Sequence, residues 1–162
     1  MISEKLLSLM ESIPFQSVSL GYRTVILYLV EELKQAQVGY SVDEGGESLT
    51  GTGEGDWREN WLVIGYEDEC GDPIFIDVAE DDFPVYTSVH GCGNWEPNLI
   101  AVSFNNFIKA LSYIKEISIG RESPVERERN PVPSSDRARI LETIANENPK
   151  ISLTFWEIWL QE

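Results

Sequence analysis

The sequence predicts an α+β fold, with a central, mostly antiparallel sheet flanked by helices. Three observations predict it. Short β-branched and aromatic runs between residues 61 and 102 are separated by turn residues only. A clear amphipathic helix opens at Ser103, where Phe104, Phe107, Ile108, Leu111 and Ile114 repeat at three- and four-residue spacing. Strands are grouped and helices follow them, instead of alternating as in a parallel-sheet protein. A chain of 162 residues fits one domain (1–162) and buries a core without disulfide or metal staples. Its 42% hydrophobic and 10% aromatic content argues against disorder.

Residues 2–13 read as a short amphipathic helix with Ile2, Leu6, Leu9, Met10 and Ile13 on one face, Ser3 as N-cap and Pro14 as stop. Residues 24–29 read as a buried strand. Residues 31–37 use strong helix formers and meet Gly39, a C-terminal stop. In the segment 43–56, five glycines and five acids with few apolar anchors predict a mobile acidic loop. It is no phosphate loop, because no G-K-[ST] follows and Glu47, Glu54 and Asp56 would repel an anion. A meander follows: strand 61–64, turn 66–72, strand 73–78, acidic turn 80–82, strand 84–89, turn 91–94 and a short apolar run 99–102. The Ser103 helix ends at Gly120. Residues 120–135 are charged and Pro-rich, which predicts a surface connection. Within 136–162, one helix covers 137–145 after Ser135 or Asp136, and a last one is capped by Ser152, with Leu153, Trp156 and Trp159 or Leu160 facing inward.

Net charge is −16, and it is concentrated. Residues 1–102 hold four Lys or Arg against nineteen Asp or Glu, whereas residues 103–162 hold eight against nine. Such a surface repels phosphate backbones, so nucleic acid is not an expected partner, and it attracts a basic protein. Acidity that serves only solubility is the competing explanation. Cys70 and Cys92 form no C-x-x-C unit and are expected as free thiols; with one histidine they offer too few soft ligands for structural zinc. The first 15 residues carry Glu4 and Glu11 and no long apolar run, and no stretch reads as a membrane span. The expectation is a soluble, cytoplasmic protein without cofactor or metal.

The densest chemistry is CGDPIFIDVAEDDFPVYTSVHG, residues 70–91, which holds a thiol, five carboxylates and the only histidine. Strand periodicity sends Ile74, Ile76 and Val78 to one face and Phe75 and Asp77 to the other. Glu80, Asp81 and Asp82 fall on a turn without the alternating ligands and tight glycine of a calcium loop. His90 could act as a base oriented by Asp77 or Asp72, yet no nucleophile motif accompanies it. The stretch reads as architectural, with its acid free for a partner.

Its neighbours carry a resemblance. Trp61-Leu-Val-Ile-Gly65, Gly71-Asp-Pro-Ile-Phe-Ile-Asp77, Pro84-Val-Tyr86, His90-Gly91, Trp95-Glu-Pro97 and Ile100-Ala-Val-Ser-Phe104 with Phe107 resemble the SMI1/KNR4 (SUKH) family across residues 61–111. The likeness extends back through Leu27-Tyr-Leu-Val-Glu-Glu-Leu33. It implies an α+β fold in which Trp61, Gly65, Gly71, Asp72, Asp77, Pro84, Ser103 and Phe104 are fold-defining, and it implies no shared catalytic set. It also implies a binding role: many bacterial members are immunity proteins against polymorphic toxins, often nucleases, and fungal members are associated with regulation of cell-wall synthesis. The expectation is therefore a non-enzymatic immunity protein for a basic toxin, with a general regulatory or scaffold module as the alternative. The expected contact residues are Glu80, Asp81 and Asp82, helped by Glu54 and Asp56, with Phe83 and Trp57 as aromatic anchors.

Overall fold

The computed structural model describes residues 2–161, and the strands it contains follow one another across a single curled sheet. They are β1 (Ser17–Ser19), β2 (Thr24–Leu27), β3 (Trp61–Glu67), β4 (Pro73–Asp77), β5 (Val85–Thr87) and β6 (Asn98–Ala101). Sheet order equals chain order and every neighbouring pair is antiparallel, so the sheet is a pure meander. The helices are α1 (Glu4–Glu11), α2 (Leu33–Ala36) after a 3₁₀ turn Val30–Glu32, α3 (Phe104–Ser118), α4 (Pro124–Arg129), α5 (Ser134–Glu147) and α6 (Thr154–Leu160). The α+β class and the antiparallel sheet are as expected.

The inner sheet face builds the main core. Val18, Val25, Leu27, Ile64, Ile74, Ile76, Val85 and Ile100 pack against Phe104, Phe107, Leu111 and Ile114 of α3 and against Trp156 and Leu160 of α6. Helix α3 packs against both β1 and β6, the two edges of the meander. Two indoles of α6 fasten the same margins. Trp156 Nε1–H donates to the Ile100 carbonyl at 2.9 Å, and Trp159 Nε1–H donates to the Arg23 carbonyl at 3.0 Å. Lys115 donates to the Ser17 carbonyl, and the Val102 N–H is taken by the Asn148 side chain. Edge strands left open would invite pairing with other chains, and here each has a carbonyl taken by a side chain, Ser17 by Lys115 and Ile100 by Trp156.

Two caps fall where they were expected. Ser3 accepts from the Leu6 N–H, and Ser103 accepts from the Asn106 N–H. Other boundaries differ for physical reasons. Strand β3 runs on to Glu67 because Gly65 is not a turn residue. It lies inside the strand at a register shift between Val63 and Gly65, where a Cβ would sit 2.4 Å from the Ile26 carbonyl oxygen. The last helix begins at Thr154 after Leu153, and Ser152 is outside it. Residues 24–29 form strand only to Leu27, and 31–37 is a 3₁₀ turn joined to a one-turn helix.

The 120–135 segment is more than a connection. Ser123 accepts from the Glu126 N–H, Glu126 accepts from the Ser123 N–H, and Pro124 takes the first helical position, which together start α4. Helix α4 delivers Arg127, only 2% exposed, whose guanidinium donates to the carbonyls of Leu20, Trp159, Leu160 and Gln161. A single cation thus satisfies the last carbonyls of α6 and ties them to the β1–β2 turn.

The tight approach at Gly65 gives a direct check. Gly65→Ala forces β2 and β3 apart or bends β3, and overpacking of this kind costs about 1–3 kcal/mol. Urea unfolding should show the midpoint lowered with an unchanged slope; an unchanged midpoint would contradict the strand contact.

Candidate functional site

The surface that matters most is the outer face of the sheet, because the helices leave it to be covered by loops. On β4, Ile74 and Ile76 point into the core while Phe75 and Asp77 point outward, as period-two alternation requires. Val78 departs from that pattern: it lies past the strand end and is 41% exposed. Phe75 is flanked by its outer-face neighbours Trp61 on β3, at 5.0 Å, and Tyr86 on β5, stacked at 5.7 Å. Trp57 lies over Phe75 at 4.7 Å and is 1% exposed; it also touches Tyr40, Trp61 and Trp95. A second, aromatic core therefore forms on this face from Trp57, Val63 and Phe75.

Two long connections supply its cover, and both are pinned. Where β2 stops short of Val63, the buried Gln37 amide takes its place. It accepts from the Val63 N–H at 3.0 Å and donates to the Val63 carbonyl at 2.9 Å. The segment 43–56 is correspondingly defined and not a mobile loop. Asp43 and Glu47 close a turn, Gly51 N–H donates to the Trp57 carbonyl, Asp56 accepts from the Gly53 N–H at 2.8 Å, and the Gly55 carbonyl accepts from the Trp95 N–H at 2.8 Å. The polar composition hid this order because the anchoring groups, Tyr40 and Trp57, flank the segment.

The acidic turn 78–84 is also held by its backbone. Asp77 accepts from Asn60 at 2.6 Å and from the Ala79 N–H at 2.9 Å. The carbonyls of Asp81 and Asp82 take Lys5 and the Phe104 N–H that opens α3. The side chains of Glu80, Asp81 and Asp82 remain exposed. Carboxylates on a fixed backbone lose little further backbone freedom on binding.

The expected aromatic anchors need correction. Phe83 is 5% exposed and belongs to the main core, held at φ 52° beneath Lys5; Trp57 is the centre of the outer core. Neither presents a face to a partner. The half-buried aromatics beside the acidic turn are Trp61 and Tyr86 instead. Glu54 and Asp56 are exposed but do not join Glu80–Asp82 as one patch: Gly55 is tied to the β5–β6 connection, which leaves from the opposite end of β4. Turns 67–72 and 80–82 lie at opposite ends of β4, as expected.

At the 67–72 end the motif residues are structural. Glu67, 2% exposed, accepts from the N–H groups of Glu69, Cys70 and Asp72 and lies 3.5 Å from Arg23. Gly71 completes this turn at φ 80°, where other residues are strained. Asp72 accepts from the His90 N–H and meets His90 Nδ1 at 2.8 Å, tying two loops together. Of the two candidate orienting carboxylates for His90, Asp72 is the one in place. Cys70 is exposed and unbridged, as is Cys92, and the Glu67 carboxylate is the main cause raising the Cys70 pKa, which keeps it a thiol at neutral pH. Among the described residues no group of three or more His, Cys, Asp or Glu is arranged to hold a metal. Pro84 is half-buried, its carbonyl accepting from the Asp77 N–H. No helix among the described residues is long and apolar enough to cross a membrane.

The outer-face tyrosines feel these carboxylates. Burial first, then Asp77 and Glu80, raise the Tyr86 pKa; burial and then Asp72 raise that of Tyr40. Comparison with protein-family models, with curated proteins and with solved structures finds no match for this chain.

Raised tyrosine pKa values favour the protonated form in the folded protein. Their contribution to stability is therefore present below the ordinary value of 10.0 and is lost as pH rises through the folded pKa. In an ultraviolet titration, Asp77→Asn with Glu80→Gln should bring Tyr86 ionisation back towards 10.0; an unmoved titration would separate Tyr86 from these carboxylates. Amide exchange at Gly51 and Trp95 should be slow in the native protein, whereas exchange at unfolded-chain rates would contradict the pinned loop.

Proposed function

We propose that this chain is a non-enzymatic protein-binding module of the SMI1/KNR4 kind, an immunity protein that works in the cytoplasm and neutralises a basic, nuclease-type toxin. The observation that carries this reading is the acidic turn 78–84, where the carboxylates of Glu80, Asp81 and Asp82 are exposed while the backbone is fixed from three elements. The excess of acid in residues 1–102 supports it. A nuclease holds phosphate backbones with Lys and Arg, so a surface of fixed carboxylates meets such a protein with complementary potential and steers its approach. Blocking the basic surface would stop substrate binding without chemistry from the inhibitor. No catalytic role is assigned to His90, whose contacts with Asp72 serve the loop junction.

Affinity capture of the tagged protein from its native source at low salt, with elution by a salt gradient, tests this reading. The expected product is a single stoichiometric basic polypeptide. A housekeeping partner would favour the regulatory or scaffold alternative, and assorted basic proteins released at low salt would leave the charge a solubility feature. With the captured partner, Asp81→Lys and Asp82→Lys together should slow association roughly tenfold and flatten its salt dependence. Unchanged kinetics would remove the turn from the contact.

A further inference from the structure

Beside the acidic turn, the outer face offers aromatic rings and carboxylates in one small area. Trp61 and Asp77 are direct cross-strand partners on β3 and β4. Phe75 and Tyr86 are direct partners on β4 and β5. The Asp77 N–H donates to the Pro84 carbonyl, which puts Tyr86 diagonal to Asp77 on the same face, within reach of long side chains. Trp61 and Tyr86 are half-buried, each packed with one side on Phe75. Glu80 follows at the start of the turn and is exposed. Unlike Tyr113, whose hydroxyl donates to Glu147 at 2.7 Å, the Tyr86 hydroxyl has no hydrogen-bond partner among the described residues. Among the described residues only one Asp77 oxygen is engaged, by Asn60 and Ala79.

We infer that Trp61, Tyr86, Asp77 and Glu80 form the seat for an arginine side chain of a basic protein partner. The inference rests on the proposed immunity reading and names the place of contact within it. A guanidinium is planar, stacks on aromatic faces, and donates in plane to carboxylates, so it uses both features at once; an ammonium uses the rings less well. The phenol hydroxyl adds a neutral acceptor. A second copy of this chain is disfavoured as the occupant, because two chains of net charge −16 repel. Nucleic acid is repelled by the same carboxylates. The fixed backbone of Asp77 and of the turn holds the seat in shape before binding.

The test uses the full chain and three acetylated peptides of one glycine-spaced design, carrying arginine, lysine or the neutral citrulline. Binding is followed by the shift of the Trp61 indole N–H resonance. The arginine peptide should give a saturable shift, the lysine peptide a weaker one and the citrulline peptide none. Tyr86→Leu should weaken arginine-peptide binding roughly tenfold. Glu80→Gln, at an exposed side chain with no hydrogen bond to another described residue, should weaken it as well and serves if Tyr86→Leu fails to fold. Equal binding by these variants, equal shifts with lysine and arginine, or shifts centred on 51–56 and 67–72 would overturn the seat. The two levels of inference fail differently. A captured basic partner that binds Tyr86→Leu and Glu80→Gln as tightly as the parent overturns the seat and leaves the immunity reading standing. Capture without a basic partner, alongside a saturable arginine shift, supports the seat and counts against the immunity reading.

Discussion

The burial of Trp57 against Phe75 decides where the functional groups of this protein can go. A meander whose inner face is filled by helices still has an outer face rich in aromatic residues, and that face must leave water. Trp57 covers it from the β2–β3 connection, 4.7 Å from Phe75, and Tyr40 and Trp95 close around it. Once these rings are placed, both long connections have fixed courses. The acids of 43–56 are carried towards the β5–β6 connection, while those of 80–82 stay at the other end of β4. Burying a Trp of this kind is worth several kcal/mol, more than the repulsion among solvated surface carboxylates costs.

The inner side solves a different problem. A meander has two open edges, and α3 lies against both. The indoles of α6 and the guanidinium of α4 then spend their donors on the carbonyls of Ile100, Arg23 and Leu20 at the margins of the sheet.

Much of the architecture was legible because its signals are local and periodic. The face assignment of Ile74, Phe75, Ile76 and Asp77 follows from alternation alone, and the helix after Ser103 from a cap and a 3.6-residue stripe. What was not legible depends on long-range contacts. Strand β1 has one apolar residue, Val18, and exists because β2 pairs with it. The segment 43–56 looks mobile by composition and is ordered by Tyr40 and Trp57 outside it. Phe83 and Trp57 read as available anchors because hydrophobicity does not report the direction in which a turn residue points. Helix α4 was readable, since Ser-Pro-Val-Glu at 123–126 is a capping box, but charge and proline around it masked the signal. Three residues of the stretches compared with the SMI1/KNR4 family have structural roles in this chain: Gly65 at a close strand approach, Asp72 on His90, and Asp77 on Asn60 and Ala79.

The outer face and the acidic turn are the proposed place of contact with a partner. Hydrogen–deuterium exchange of the protein with and without its captured basic partner tests this most directly. Protection concentrated in 57–63 and 76–87 is the predicted footprint, on the outer face and the acidic turn. Protection confined to α3, α5 and α6, on the side where charge is nearly balanced, would contradict it.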